Sequence, residues 1–221
     1  MAGPRLRALV LAAALAVTGC TGGPGATVAP TVKLPVGFSP PPLPTLLWPA
    51  PANPMDLSRA AGLVPETEEK LAYHVHAHLD IFLDGAPIMV APGIGINIKD
   101  PKVKTFPESD GSTSYGGITE ACAEACISPL HTHGSYGILH TESATPVPNT
   151  LGQLFIEWDL KLSATCVAEH CSPAKAVAFY VNGEAYTGDP AAIELADRTE
   201  IAIVIGTPPE TIPATGIFDG T

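Results

Sequence analysis

The chain is short of positive charge, with 11 Lys and Arg against 22 Asp and Glu in 221 residues. Two of the eleven, Arg5 and Arg7, lie ahead of the apolar run 8–17 and no acidic residue does, so the chain beyond them carries nine against 22, a net charge of −13. No basic patch is left to face the phosphates of nucleic acid or of an anionic membrane surface. The apolar run 8–17 is about half the length that crosses a bilayer, so it does not read as a spanning helix. Neither cysteine pair, Cys122 with Cys126 or Cys166 with Cys171, has the Cys-x-x-Cys spacing, which leaves a thioredoxin-like redox role without support. His-Glu-x-x-His and Gly-x-Ser-x-Gly are both absent, so no established hydrolase motif is present. Methionine is scarce and none lies near a histidine, which disfavours a thioether-rich copper(I) carrier.

Histidine is what the chain does have, and it is clustered. Six of seven lie in two stretches, His74, His76 and His78 in the first and His131, His133 and His140 in the second. Side chains two apart on a strand share a face, so His74, His76, His78 and Asp80 form one row. Val75, Ala77, Leu79, Ile81 and Leu83 form the opposite, core-facing row. The second stretch reads as a hairpin turning at 134–137, which leaves His131, His133, His140 and Glu142 on one face for either a two- or a four-residue loop. Two rows of imidazoles, if brought together, make a site for a divalent transition metal, and zinc and copper(II) lead the candidates. Ligation requires neutral imidazole, so binding is expected to weaken as pH falls through about 6.5.

The basic start, the apolar run and the small residues before Cys20 resemble the lipobox of bacterial lipoproteins. The resemblance implies that 1–19 is a signal peptide and that Cys20 carries acyl groups tethering the protein to the membrane outside the cytoplasm; an ordinary secretory signal is the alternative. Residues 20–54 hold ten prolines and read as a semi-rigid linker. The domain is placed at 55–207 and a loosely held tail at 208–221. An exported chain meets oxidising conditions, so Cys122, Cys126, Cys166 and Cys171 are expected to form two disulfides, with all three connectivities open. A rival reading joins these cysteines and His170 in a structural zinc site.

Strands are expected at 74–83 and 86–90, joined by the Asp84-Gly85 turn, with Leu83 opposite Ala86, Ile81 opposite Ile88 and Leu79 opposite Val90. Residues 92–121 read as a long covering loop with a short strand at 95–98, and 127–133 and 136–141 as the second hairpin. Thr150 and Gln153 form a capping box for a helix whose stripe is Leu151, Leu154, Phe155 and Trp158. Strands at 176–181 and 184–186 flank the Asn182-Gly183 turn, and the almost wholly apolar run Glu200 to Ile205 suits a strand covered on both faces. The result is an α+β domain, a mainly antiparallel mixed β-sheet with one short helix packed on it. Its second half resembles a β-grasp domain; a β-sandwich is the alternative.

His131-x-His133 followed by Glu142 invites comparison with cupins, but the glutamate comes nine residues after His133 rather than three or four, and the pattern is not met. Residues 55–206 are similar to an uncharacterised family of exported or membrane-anchored bacterial and archaeal proteins. The motifs that carry the likeness are His74-Val75-His76-Ala77-His78-Leu79-Asp80-Ile81-Phe82, Leu130-His131-Thr132-His133, Gly137-Ile138-Leu139-His140-Thr141-Glu142 and Thr150-Leu151-Gly152-Gln153. The likeness implies a shared architecture and supplies no reaction. Three readings follow: a lipid-tethered binder of zinc or copper(II) for sequestration, delivery or sensing; a metalloenzyme with Glu142 or Asp80 as general base; and a metal-free structural or interaction module. The sequence identifies no protein partner.

Overall fold

Strand β1, Tyr73–Leu83, is the axis of the domain. Its odd-numbered side chains Ala77, Leu79 and Ile81 are each 1% exposed and face the core, while His74, His76, His78 and Asp80 face the other way. The computed structural model describes residues 44–218; the expected signal peptide, Cys20 and the linker up to residue 43 lie outside the described residues.

A helix, α1, spans Pro54–Ala60. After β1, Asp84 and Gly85 adopt φ of 50° and 83°, the left-handed pair that a type I′ turn needs. Strand β2, Ala86–Ile88, returns with Leu83 opposite Ala86 and Ile81 opposite Ile88. It stops short of the expected Val90 because the Met89 N–H donates to Thr45 O instead. That contact belongs to a larger difference. Residues 45–50 lie in the expected linker, among Pro44, Pro49 and Pro51, yet Trp48 is 7% exposed, packs edge-on against Trp158 and its carbonyl accepts that residue's Nε1–H at 2.9 Å.

The 92–121 stretch contains an unexpected hairpin, β3 (Lys104–Pro107) with β4 (Thr113–Gly116). All four residues of β3 are exposed, so no buried face leaves a period in the sequence. The strand expected at 95–98 reduces to a single bridge between Ile96 and Ile127. Next come β5 (Leu130–His131) and β6 (Ile138–Ser143), then α2 (Leu151–Glu157), whose capping box is formed as the sequence predicts. Leu151, Leu154, Phe155 and Trp158 are all at most 1% exposed. Truncating any of them to Ala is expected to cost about 2–5 kcal/mol. A small sheet follows, β7 (Leu162–Ser163), β8 (Cys166–Val167) and β9 (His170–Cys171), and then β10 (Val177–Val181), β11 (Glu184–Tyr186) and β12 (Glu200–Ile205).

The main sheet runs β11-β10-β12-β1-β6-β5, with β2 also paired to β1. It is mixed, because β12 lies parallel to β1 while the other pairs are antiparallel. Ile201, Ile203 and Ile205 join the core that α2 covers, and every residue of β12 is buried, as an apolar run on a central strand requires. The fold is therefore α+β, and the sandwich alternative is set aside. The cysteines pair locally, Cys122 with Cys126 and Cys166 with Cys171. This removes the cysteine–His170 zinc site, since no thiolate is free to ligate. The first disulfide lies in a small second core with Ile96, Val103, Ile118 and Ile127.

Candidate metal centre

Register brings the two histidine stretches together. Strand β6 sits beside β1 with His76 opposite His140 and His74 opposite Glu142, and β5 sits beside β6 with His131 opposite His140. Directly paired residues point to the same face, so His76, His140 and His131 form one row across three strands and His74 and Glu142 the next. His133, just past β5, folds its ring back over His140, with centroids 4.4 Å apart.

Of three groups of potential donors among the described residues, two share His140, and the third is His78, Asp80 and Glu200. Of the two that share it, one is His131, His133, His140 and Glu142; the other is His74, His76 and His140; within each, all donor atoms lie within 4.8 Å of one another. Glu142 Oε1 is 3.2 Å from His74 Nε2, 3.5 Å from His140 Nδ1 and 3.7 Å from His131 Nε2. Donors bound to one tetrahedral zinc at about 2.0–2.1 Å lie about 3.3 Å apart, so these are ligand-scale separations. Such His and Glu groups can hold a metal ion.

Backbone carbonyls orient the rings. The Nδ1 atoms of His131, His133 and His76 lie 2.8 Å from Ser128 O, 2.6 Å from Tyr115 O and 2.5 Å from Phe218 O, respectively. A carbonyl only accepts, so each Nδ1 carries the proton and each Nε2 presents a lone pair inward, the arrangement that outer contacts impose on metal-bound histidines. Gly116 makes room for one of them, because a Cβ there would overlap the His133 ring. Burial favours the neutral form of three of the rings. It holds His131 far below the ordinary histidine range, with the His133 charge adding to the effect, takes His140 down to about 2 and lowers His76. The face is reached through a cleft of about 530 Å³, whose lining includes His74, His133, His140 and Glu142 and, on the far side, Phe106 and Tyr115 of the β3–β4 hairpin.

His78 shares the row but not the centre. Its Nδ1 lies 2.9 Å from Glu200 Oε2 and 3.9 Å from Asp80 Oδ2, and its Nε2 lies 2.8 Å from Tyr136 O. Burial pulls this imidazole down, but the hydrogen bond and charge of Glu200 outweigh it and the pKa is raised. The Nε2 donates to the Tyr136 carbonyl, and His78 forms with Glu200 and Asp80 a group of its own, apart from the shared centre. The 208–218 segment, expected to be loose, covers this pair: Gly216 abuts His78 and Glu200, and Phe218 is buried beneath Arg198. His170 stands apart beside Glu169 and Trp48.

Sequence reasoning did not single out Glu200, nor the carbonyls of Ser128, Tyr115 and Phe218. A carbonyl leaves no mark in a sequence, and Glu200 is visible only as the polar end of an apolar run. No family model, curated protein or solved structure matches the chain.

Proposed function

We propose that the protein is an extracytoplasmic, lipid-tethered binder of a divalent transition metal, zinc or copper(II), held by His131, His133, His140 and Glu142 and serving sequestration, delivery or sensing. The observation that carries this reading is the 3.1 Å approach of His131 Nε2 to His133 Nε2. Both atoms present lone pairs, neither has a proton to offer the other, and His131 is fully buried. A cation between them turns that repulsion into two bonds. Neutral imidazoles with one carboxylate suit zinc and copper(II), and the thiols are committed to disulfides. The disulfides and the lipobox-like leader support export, while among the described residues no helix is long and apolar enough to cross a membrane. Membership of the exported family resembled by the histidine motifs is part of this proposal.

The test is the metal content of the purified protein and its affinity for zinc and copper(II), repeated with His131→Ala and His133→Ala. Each variant is expected to lose the tightly held ion, and unchanged stoichiometry would end the reading. At 100-fold excess over Kd, metal is expected to stabilise the fold by about 2.7 kcal/mol, so a chelator lowers Tm. A metal-free module predicts no chelator effect.

The cleft favours a second reading. A metal facing about 530 Å³ of accessible space has room for a water and a small substrate, as a metalloenzyme requires. Turnover across hydrolase and oxidase substrates that disappears in His133→Ala would select it over a carrier.

A further inference from the structure

We infer that the centre takes two divalent transition ions, the second bound by His74 and His76 at the mouth of the cleft, with His140 common to both groups and Glu142 between them. This rests on the metal reading above and deepens it.

Five imidazoles and one carboxylate meet here, whereas a four-coordinate zinc site uses at most four protein donors. The surplus is not a wider shell around one ion. Donors to a single ion at about 2.1 Å can be no more than about 4.2 Å apart, and these six separate into two groups instead of closing into one.

Proton counting gives the second group its own demand for a cation. His76 spends its Nδ1 proton on Phe218 O, so its Nε2 is an acceptor. His74 Nε2 then faces His76 Nε2 at 2.7 Å, Glu142 Oε1 at 3.2 Å and His140 Nδ1 at 3.4 Å. It has at most one proton to share among the three. A metal ion satisfies all of them together. Glu142 is suited to the place between the ions: it is 5% exposed, its Oε1 already lies near His74 and His131, and its buried Oε2 has no hydrogen-bond partner.

The two positions differ in access. His131, His140 and Glu142 are at most 5% exposed, but the His74 side chain is 34% exposed and lines the cleft. The inner ion is held by the more buried set, whereas the outer one, on the more exposed His74, keeps more coordination positions open to water or to a small anionic or neutral ligand entering the cleft.

The test is the stoichiometry of zinc bound by the full chain, with His76→Gln as the variant and disulfide content and Tm as checks on folding. The wild type is expected to bind two zinc ions and His76→Gln one. A wild type that binds one ion overturns the two-ion centre but leaves a metal function standing. A wild type that binds none defeats the preceding reading itself. Should the variant fail to fold, copper(II) spin resonance on the wild type decides: two ions this close give a coupled, attenuated signal, and a spectrum integrating to isolated copper(II) overturns the proposal.

Discussion

His131 and His133 turn their Nε2 atoms toward each other at 3.1 Å while each anchors its Nδ1 to a backbone carbonyl, on Ser128 and Tyr115. Neither carbonyl lies on β1, β5 or β6, so the readiness of the site depends on segments that contribute no ligand.

That dependence is open to test at Gly116. The residue has φ of 151°, and an added Cβ would collide with the His133 ring. Gly116→Ala is expected to weaken metal binding by about 10–100-fold, the usual range for disturbing a ligand's support, with the fold retained. Isothermal titration measures it, and undiminished affinity would show that the His133 ring is not held where the geometry puts it.

His78 should separate from the other histidines. His78→Gln removes the hydrogen-bond partner of Glu200, which is fully buried. The expected loss is about 3–5 kcal/mol of stability in denaturant, with metal stoichiometry unchanged. A lost ion instead would make His78 a ligand.

The pH profile is expected to shift from the simple histidine value. Burial depresses His131 and His76 and takes His140 to about 2, so protons displace metal only well below pH 6.5. For the metal-free fold the unfolded chain binds more protons below pH 6.5, so stability is present above that value and lost on acidification. His78 has the opposite sign: its raised pKa gives stability below pH 6.5 that is lost as pH rises through its folded value. Glu157, raised by burial, also stabilises at lower pH, so the direction set by His140 and His131 is read in the chelated Glu157→Gln variant. Its Tm is expected to fall between pH 6.5 and 5; a rise would contradict it.

Glu157, fully buried on α2 beside Ser58 and Ser128, is pushed up to about 8 by burial, against the lowering pull of the two hydroxyls. The folded state then holds a proton that the unfolded chain releases near pH 4.3, so this contribution is full at lower pH and lost as pH rises toward 8. Glu157→Gln removes the slope. Relative to the wild type, the variant is expected to gain about 1–3 kcal/mol between pH 5 and 8. A difference independent of pH would mean that Glu157 does not titrate in that range.

Much of the fold was legible because its signals are local. The alternation through 74–83 separates the histidine row from Ala77, Leu79 and Ile81, and Asp84-Gly85 sets the register of Ile81 on Ile88. Thr150 and Gln153 announce the start of α2. Trp48 misled because its flanking prolines suit a linker, and only its pairing with Trp158 seats it in the core. The β3–β4 hairpin stayed hidden because a strand with no buried face has no period to read.

Which residues share a face follows from backbone repeat alone, so the sequence by itself determined that His74, His76 and His78 form one row and that His131, His140 and Glu142 form another. Which rows meet is a matter of long-range strand pairing, and the tertiary structure alone decided it, setting β6 between β1 and β5 so that residues 74–76 face 131–142. It also divided the first row, because the buried carboxylate of Glu200, carried by the parallel neighbour β12, draws His78 away from the shared centre. An alternating pattern records only which way a side chain points. What it meets there is set by segments far along the chain, 66 residues from His74 to His140 and 122 from His78 to Glu200.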